Sequence, residues 1–447
     1  LGFMARRTPK RYVKKKAGSR EFNYKKEPED LQKRIDVARE KEWGNWMNFD
    51  ACEVIEPELA AAFKSKHPGV QVVPTRWVDI NKAQEGEPEQ LKSRLVVRGD
   101  LERSAQHGEV RTDSPTASHL MLSLILTFAS CFELVLHAGD ITAAFLQGLG
   151  LARVLVMALP ADGIPGVKPG SLLVARKPVY GTKDAPRGFW RSLHKTMLKF
   201  AFRSIPHENA AYVMLKDDGS IDGLVISHVD DLIWCGGEKA QKAMQQVQQE
   251  LKFGKLEDTC FKFCGRSITQ DEKGIHVTCP HGLERTRPIA VSTGRKKNRS
   301  SPATPDEQSQ LRSVLGSLNW VVRVCRPDLA YDTNRLQTKV QKPTVQDLLD
   351  CNTLLRRAVL TKDQKLTYGW KMFDFNKAQI LSITDASHAN DHDVSQSGEV
   401  LGCRSQSGRI LALCGPDFMQ NNGGRIALIE WRSSVIRRVC RSTLQAE

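Results

Sequence analysis

Two adjacent aspartates, Asp230 and Asp231, stand in the middle of DGLVISHVDDLIWCGG, between the apolar runs GLVIS and LIWCGG. Short apolar runs of this kind read as buried strands. A carboxylate in such a context is costly unless it is paired, hydrogen-bonded or bound to a metal. Successive strand residues point to opposite faces, so both aspartates reach one site only where the chain turns. The stretch therefore predicts a hairpin with an acidic tip. A third aspartate, Asp140, ends the apolar segment LVLHAGDITAAF. Two strands carrying three carboxylates suit a pair of Mg²⁺ ions roughly 3.5–4 Å apart, as phosphoryl-transfer sites hold them. Taken alone, the aspartate pair reads more simply as an ordinary acidic turn, and the rest of the chain decides between the two.

Charge narrows the choice. The 447 residues carry 66 Lys and Arg against 51 Asp and Glu, a net charge of +15. A field of that sign attracts polyanions, nucleic acid first among them. Part of the excess sits in Ala5–Arg20, which holds eight basic residues and no acid and reads as a disordered basic tail or a nucleic-acid arm. The longest apolar run, Leu120–Leu136, is short and contains Glu133, so it predicts a buried helix and no membrane span. Cys260, Cys264, Cys279 and His281 match no standard zinc spacing, and the eleven cysteines read as reduced, intracellular thiols. Localisation stays open between nucleus and cytoplasm.

Periodicity predicts helix over Glu27–Ser65 and a strand hairpin over Val70–Arg98 with its turn near Gly86. It then predicts an apolar helix from Ala117 to Ser130, strands into Asp140 and over ARVLVMALP, and a helix from Pro186 to Phe202. A Gln-rich helix follows over Lys239–Leu251. FKFCGRSITQ and GIHVTC read as strands, Arg285–Asp306 as a linker, Glu307–Val324 and Val345–Leu360 as helices, and QILSITDAS as a strand.

Five segments, in order, carry a family resemblance: KSRLVVRGD, DITAAFLQG, KPVYGTKDAPRGFW, HVDD and LRSVLGSLNWVVRVCRPDLAYDTNRL. Over roughly Arg76–Leu360 the chain resembles the copia-type reverse transcriptases of retrotransposon Pol polyproteins. The resemblance implies an α+β fold: a basic tail (1–28), a helical lead-in (29–69), fingers and palm (70–284), a linker (285–306), a helical thumb or connection (307–372) and a partial ribonuclease H-like sheet (373–447). It implies an RNA-directed DNA polymerase acting on an RNA or DNA template, a primer and dNTPs, as part of a larger polyprotein. Asp140, Asp230 and Asp231 would be both catalytic and metal-binding, holding two Mg²⁺ or, alternatively, Mn²⁺. Phe145 would lie under the incoming sugar and exclude a 2′-hydroxyl. Strand alternation puts Lys92, Arg94 and Val96 on one face, and Lys92 or Arg94 is the candidate triphosphate contact. Arg187 and Trp190 are placed to meet template or to pack.

Two positions depart from the family. Asp184 stands where glutamine is usual in the nucleotide region, so a carboxylate there is expected to repel the triphosphate. His228 stands where tyrosine is usual before the aspartate pair. Both departures favour an alternative, a catalytically decayed remnant that still binds nucleic acid; the intact aspartates oppose it. A nuclease sharing only the aspartate clusters is a third reading, which the motif order disfavours. In the last block, SITDASHAND, GEVLGCRSQSGRILAL, RIALIEWRSS and CRSTLQAE resemble the opening of a ribonuclease H domain, with Asp385 and Glu447 as its acids. Such sites need about four carboxylates around two metals, so this part is expected to be incomplete and inactive.

Overall fold

The two apolar runs around the aspartate pair form adjacent antiparallel strands, β9 (Ile221–His228) and β10 (Asp231–Gly236), at the heart of one sheet. The structure is a computed structural model that describes residues 21–83, 88–103, 110–394, 400–437, 440 and 442. The basic segment, the turn at Gly86 and Glu447 lie outside the described residues. Among the described residues the protein is mixed α/β with four sheets. It divides into two units. The first comprises the described parts of Leu1–Thr116, Ile141–Ala201 and Gln246–Phe253; the second, those of Ala117–Asp140, Phe202–Gln245 and Gly254–Glu447.

The first unit is built on the sheet order β1-β6-β5-β2-β3. Its strands are β1 (Cys52–Ile55), β2 (Val72–Asn81), β3 (Leu91–Val97), β5 (Val156–Ala158) and β6 (Leu172–Ala175). β2 and β3 form the expected antiparallel hairpin, and Ser93, Leu95 and Val97 turn inward. Helix α1 (Glu29–Asn48) starts after Pro28 with two acids in its first turn, which suits the positive helix N-terminus. Its buried face is Ile35, Arg39, Glu42 and Trp46, a helical spacing with two charges in it. Arg39 is satisfied there: it donates to Asp79 at 2.7 and 3.3 Å, and Ser93 Oγ donates to the same carboxylate at 2.7 Å. Helix α2 (Pro57–Lys66) follows β1. Strand β1 interrupts the single helical stretch expected over Glu27–Ser65. Its four residues, CEVI, are too few to leave a pattern, and pairing with β6 decides their state. Helix α4 (Ala185–Lys199) has Pro186 in its first turn, close to the expected bounds.

The second unit packs helix α3 (His119–Cys131) against its largest sheet. Ser118 caps α3 by accepting from Met121 N at 3.2 Å, and nine of the thirteen helical residues are buried. Leu122, Ile125 and Phe128 share one core with Ile226 and Ile233 of β9 and β10. The apolar run is thus a core helix, and among the described residues no helix is long and apolar enough to cross a membrane. The sheet order is β11-β4-β10-β9-β8-β7, with β4 (His137–Ile141), β7 (Arg203–Ile205), β8 (Glu208–Leu215) and β11 (Phe253–Asp258). Helix α5 (Glu238–Glu250) follows β10.

A four-stranded sheet comes next: β12 (Cys260–Phe263), β13 (Arg266–Asp271), β14 (Gly274–Thr278) and β15 (Leu366–Gly369). FKFCGRSITQ, expected as one strand, is therefore a hairpin. Cys264 and Gly265 both take positive φ, 47° and 75°, and make its tight turn. The expected linker Arg285–Asp306 contains one helical turn, Thr293–Lys296. Helices α6 (Pro305–Cys325) and α8 (Val345–Leu360) each begin with a capping box, at Thr304/Glu307 and Thr344/Asp347. Between them lies α7 (Ala330–Thr338), whose polar sequence AYDTNRLQT hid it from the periodicity. The last sheet is β16 (Gln379–Val394), β17 (Val400–Cys414) and β18 (Ile426–Val435). Trp431 Nε1 donates to Val322 O, and Tyr368 Oη to Leu428 O, each at 2.9 Å, tying that sheet to α6 and β15.

Candidate active site

Register brings the three aspartates to one end of the large sheet. His228 pairs with Asp231 across β9 and β10, which leaves Val229 and Asp230 as the two turn residues. Strand β4 runs antiparallel on the other side of β10, and there Asp231 stands opposite Asp140. Val229 takes φ 61°, a left-handed conformation that costs a β-branched residue roughly 1–2 kcal/mol. Strain of this kind concentrates at functional sites. Asp140 accepts a 2.7 Å hydrogen bond from Lys255 N through Oδ1. Burial, and then the charges of Asp230 and Asp140, push the Asp231 carboxyl above its ordinary value, with His228 opposing them.

Among the described residues no three His, Cys, Asp or Glu side chains converge as a ready metal cage. The donor set nonetheless fits a hard divalent cation. Asp140 and Asp231 face each other in register with Asp230 in the adjoining turn, and oxygen ligands are what Mg²⁺ and Mn²⁺ prefer.

The residues expected at the nucleotide belong to the first unit. Arg94 lies over the Tyr180 ring, 5.3 Å from its centroid. The Phe145 ring packs 5.4 Å from Tyr180 at 57°. Phe145 sits in a short 3₁₀ turn that follows Ala143, itself at φ 49°. Tyr180 is fixed by its backbone: Val97 N donates to Tyr180 O at 2.8 Å, which docks the KPVYG segment on the end of β3. Lys92, Arg94 and Val96 are all half-buried, on the face away from Ser93 and Leu95. Burial pushes the Lys92 amine down to about 8, with Arg94 and Lys82 adding to the effect and Glu42 opposing it. Sequence reasoning passed over Tyr180, although it lies inside a quoted motif, and Glu42, whose burial depends on β3.

Asp184 precedes α4 and is ion-paired with Arg153, which also holds Glu102. Arg153 Nη2 donates to Asp184 Oδ1 at 3.2 Å, and Nε to Glu102 Oε1 at 2.8 Å. The repulsive charge expected at Asp184 is therefore met by a guanidinium on its own unit. Arg187 donates to Asp113 O at 3.1 Å and lies 5.7 Å from the Trp190 ring centroid. In the second unit, His228 is exposed, with its ring edge-on to Phe263 at 6.5 Å. Asp385 is exposed on β16 opposite Gly408, beside Arg409 and Arg432.

Residues 63–285 match the reverse transcriptase (RNA-dependent DNA polymerase) family, and this part of the chain belongs to it. Over most of its length the chain is homologous to Pol polyproteins of copia-type retrotransposons. It is 25% identical over 398 residues to the retrovirus-related Pol polyprotein from transposon RE2 of Arabidopsis thaliana, covering 85% of this chain and 25% of the relative. It is 23% identical over 431 residues to that from transposon RE1 of the same plant, covering 92% and 27%. To the Pol polyprotein from transposon TNT 1-94 of Nicotiana tabacum it is 21% identical over 401 residues, covering 85% and 28%. The chain thus spans about a quarter of the length of these relatives.

Proposed function

We propose that the chain is an RNA-directed DNA polymerase that extends a primer 3′-hydroxyl with dNTPs on an RNA or DNA template. The observation that carries this reading is the register of Asp231 opposite Asp140, with Asp230 in the adjoining turn, inside a domain of the reverse transcriptase family. Asp140, Asp230 and Asp231 are the residues that hold divalent metal, two Mg²⁺ or Mn²⁺. When bound, the metal supplies Lewis-acid activation of the hydroxyl and neutralises charge on the phosphates. Lys92 and Arg94 bind the triphosphate and offset charge that develops on it. Phe145, braced by Tyr180, presents a ring that a ribose 2′-hydroxyl would strike, which selects deoxynucleotides. The +15 net charge draws the nucleic-acid substrates to the protein.

In this reading the first unit is the fingers-side module, the β9–β10 sheet is the palm, and α6–α8 form the connection. The β16–β18 sheet belongs to a ribonuclease H-like domain, with Asp385 as its first acid. The Pol relatives support a larger polyprotein as the natural context. A second reading, a remnant that binds nucleic acid without extending it, has one observation in its favour: His228 at the tip of β9, where the family has tyrosine. RNA-templated primer extension by the purified chain, with dNTPs and Mg²⁺ or Mn²⁺, separates the two. Extension is the expected result; tight primer–template binding without extension under either metal would establish the remnant.

A further inference from the structure

Helix α1 places a buried acid beside the candidate phosphate-binding cations of the first unit. A pocket of about 460 Å³ is lined by Lys41 and Glu42 of α1, Lys82, Lys92 of β3, Ala143 and Tyr180. Glu42 is 5% exposed, and its Oε1 meets no hydrogen-bond partner; Arg94 Nε is likewise buried without one. Among the described residues, Arg34 at the rim pairs with Glu89, whereas Lys92 and Arg94 pair with no carboxylate at ion-pairing distance. Burial pushes the Glu42 carboxyl up to about 7; Trp46, the charges of Lys92 and Arg94 and the backbone of Leu95 pull against that. A folded chain tolerates a buried carboxylate oxygen and a guanidinium nitrogen without partners, and a desolvated lysine, around one pocket poorly. Such an arrangement is relieved by an anion that takes up the cations.

We propose that Glu42 is a positioning residue for polyphosphate: from α1 its buried carboxylate supports the two cations of β3 across the shared pocket, so that a nucleoside triphosphate meets a prepared pair of cations. The inference rests on the reading that Lys92 and Arg94 contact the triphosphate, and it adds that the helix before the matched hairpin sets their state. Burial, Arg94 and Lys82 all disfavour the charged form of Lys92. The negative charge of Glu42 is the one contribution that opposes this. Removing that charge while keeping the side chain's shape should weaken phosphate binding without disturbing the helix.

The test is equilibrium binding of the template-complementary dNTP to the full chain on a primer–template ending in a dideoxynucleotide, with Mg²⁺ present. Wild type is compared with Glu42→Gln, Glu42→Asp and the double variant Lys92→Gln/Arg94→Gln. The dNTP Kd should rise about tenfold in Glu42→Gln and recover in part in Glu42→Asp. It should rise further in the double variant, with primer–template affinity unchanged throughout. A double variant that binds dNTP like wild type, or a wild type that binds none, overturns the triphosphate reading and the inference with it. A weakened double variant beside an unaffected Glu42→Gln overturns the Glu42 inference alone. Equal loss of dNTP and primer–template binding in Glu42→Gln would make Glu42 merely structural, which also overturns it.

Discussion

A buried carboxyl without an ion-pair partner lowers the stability of a fold, and Glu42 is the clearest instance here. Its carboxyl titrates near 7, above the ordinary 4.5, so the folded state holds the proton more tightly than the unfolded chain. The stability contributed by the protonated form is fully present below about pH 4.5 and is lost as pH rises through 7. The loss amounts to about 3 kcal/mol at most. Glu42→Gln should therefore match wild type in denaturant unfolding near pH 4.5 and exceed it by up to that amount at pH 8. A wild type equally stable at pH 8 would show that Glu42 is solvated. A substitution that stabilises the protein yet weakens nucleotide binding is what strain held at a functional site produces. Asp184 behaves oppositely. Its partner Arg153 keeps Glu102 when Asp184 is removed, so Asp184→Gln should cost roughly 1–2 kcal/mol of stability and leave the dNTP KM unchanged. A lower KM would mean that the Asp184 charge still reaches the triphosphate. Sequence alone placed Asp184 in a motif and left Glu42 and Arg153 outside any. It did not show which charges are paired, because Arg153 and Asp184 meet across 31 positions and Glu42 is buried by a strand about fifty residues later.

At the scale of elements, the turn at Gly181 sets the proposed nucleotide cluster. It takes φ +94°, and a Cβ there would lie 2.1 Å from Val97 O. Only glycine allows Tyr180 to dock on β3, where it braces Arg94 and Phe145. Gly181→Ala should destabilise the first unit by roughly 2–4 kcal/mol and lower its melting temperature accordingly; an unchanged melting temperature would show that the segment is not docked. The elements that sequence predicted well were those with strong local signals. β9 and β10 are apolar runs of strand length, α3 is a capped apolar helix, and α6 and α8 open on capping residues. Among the elements that periodicity missed were β1, with four residues, β8, α7, with a polar surface, and the Cys264–Gly265 turn inside an apolar run. β1 and α7 are decided by partners elsewhere in the chain: β6 for β1, and the neighbouring helices and β18 for α7.

For the molecule as a whole, each unit carries its own cluster. The aspartates stand on the sheet of the second unit, and the Lys92–Arg94 cations and aromatic rings on the hairpin and loops of the first. The acidic tip was legible because charge inside an apolar strand context has few explanations, and motif order supplied the rest. The central claim is that these aspartates make the chain a polymerase. It is tested most directly by the rate of single-nucleotide incorporation on an RNA template for wild type and Asp231→Asn, measured beside primer–template affinity. The account predicts a fall of at least roughly 10³-fold in rate at unchanged affinity, because loss of a metal-holding carboxylate removes transition-state stabilisation and leaves binding intact. Equal rates in the two proteins, or a loss of rate that only follows a loss of binding, would contradict it.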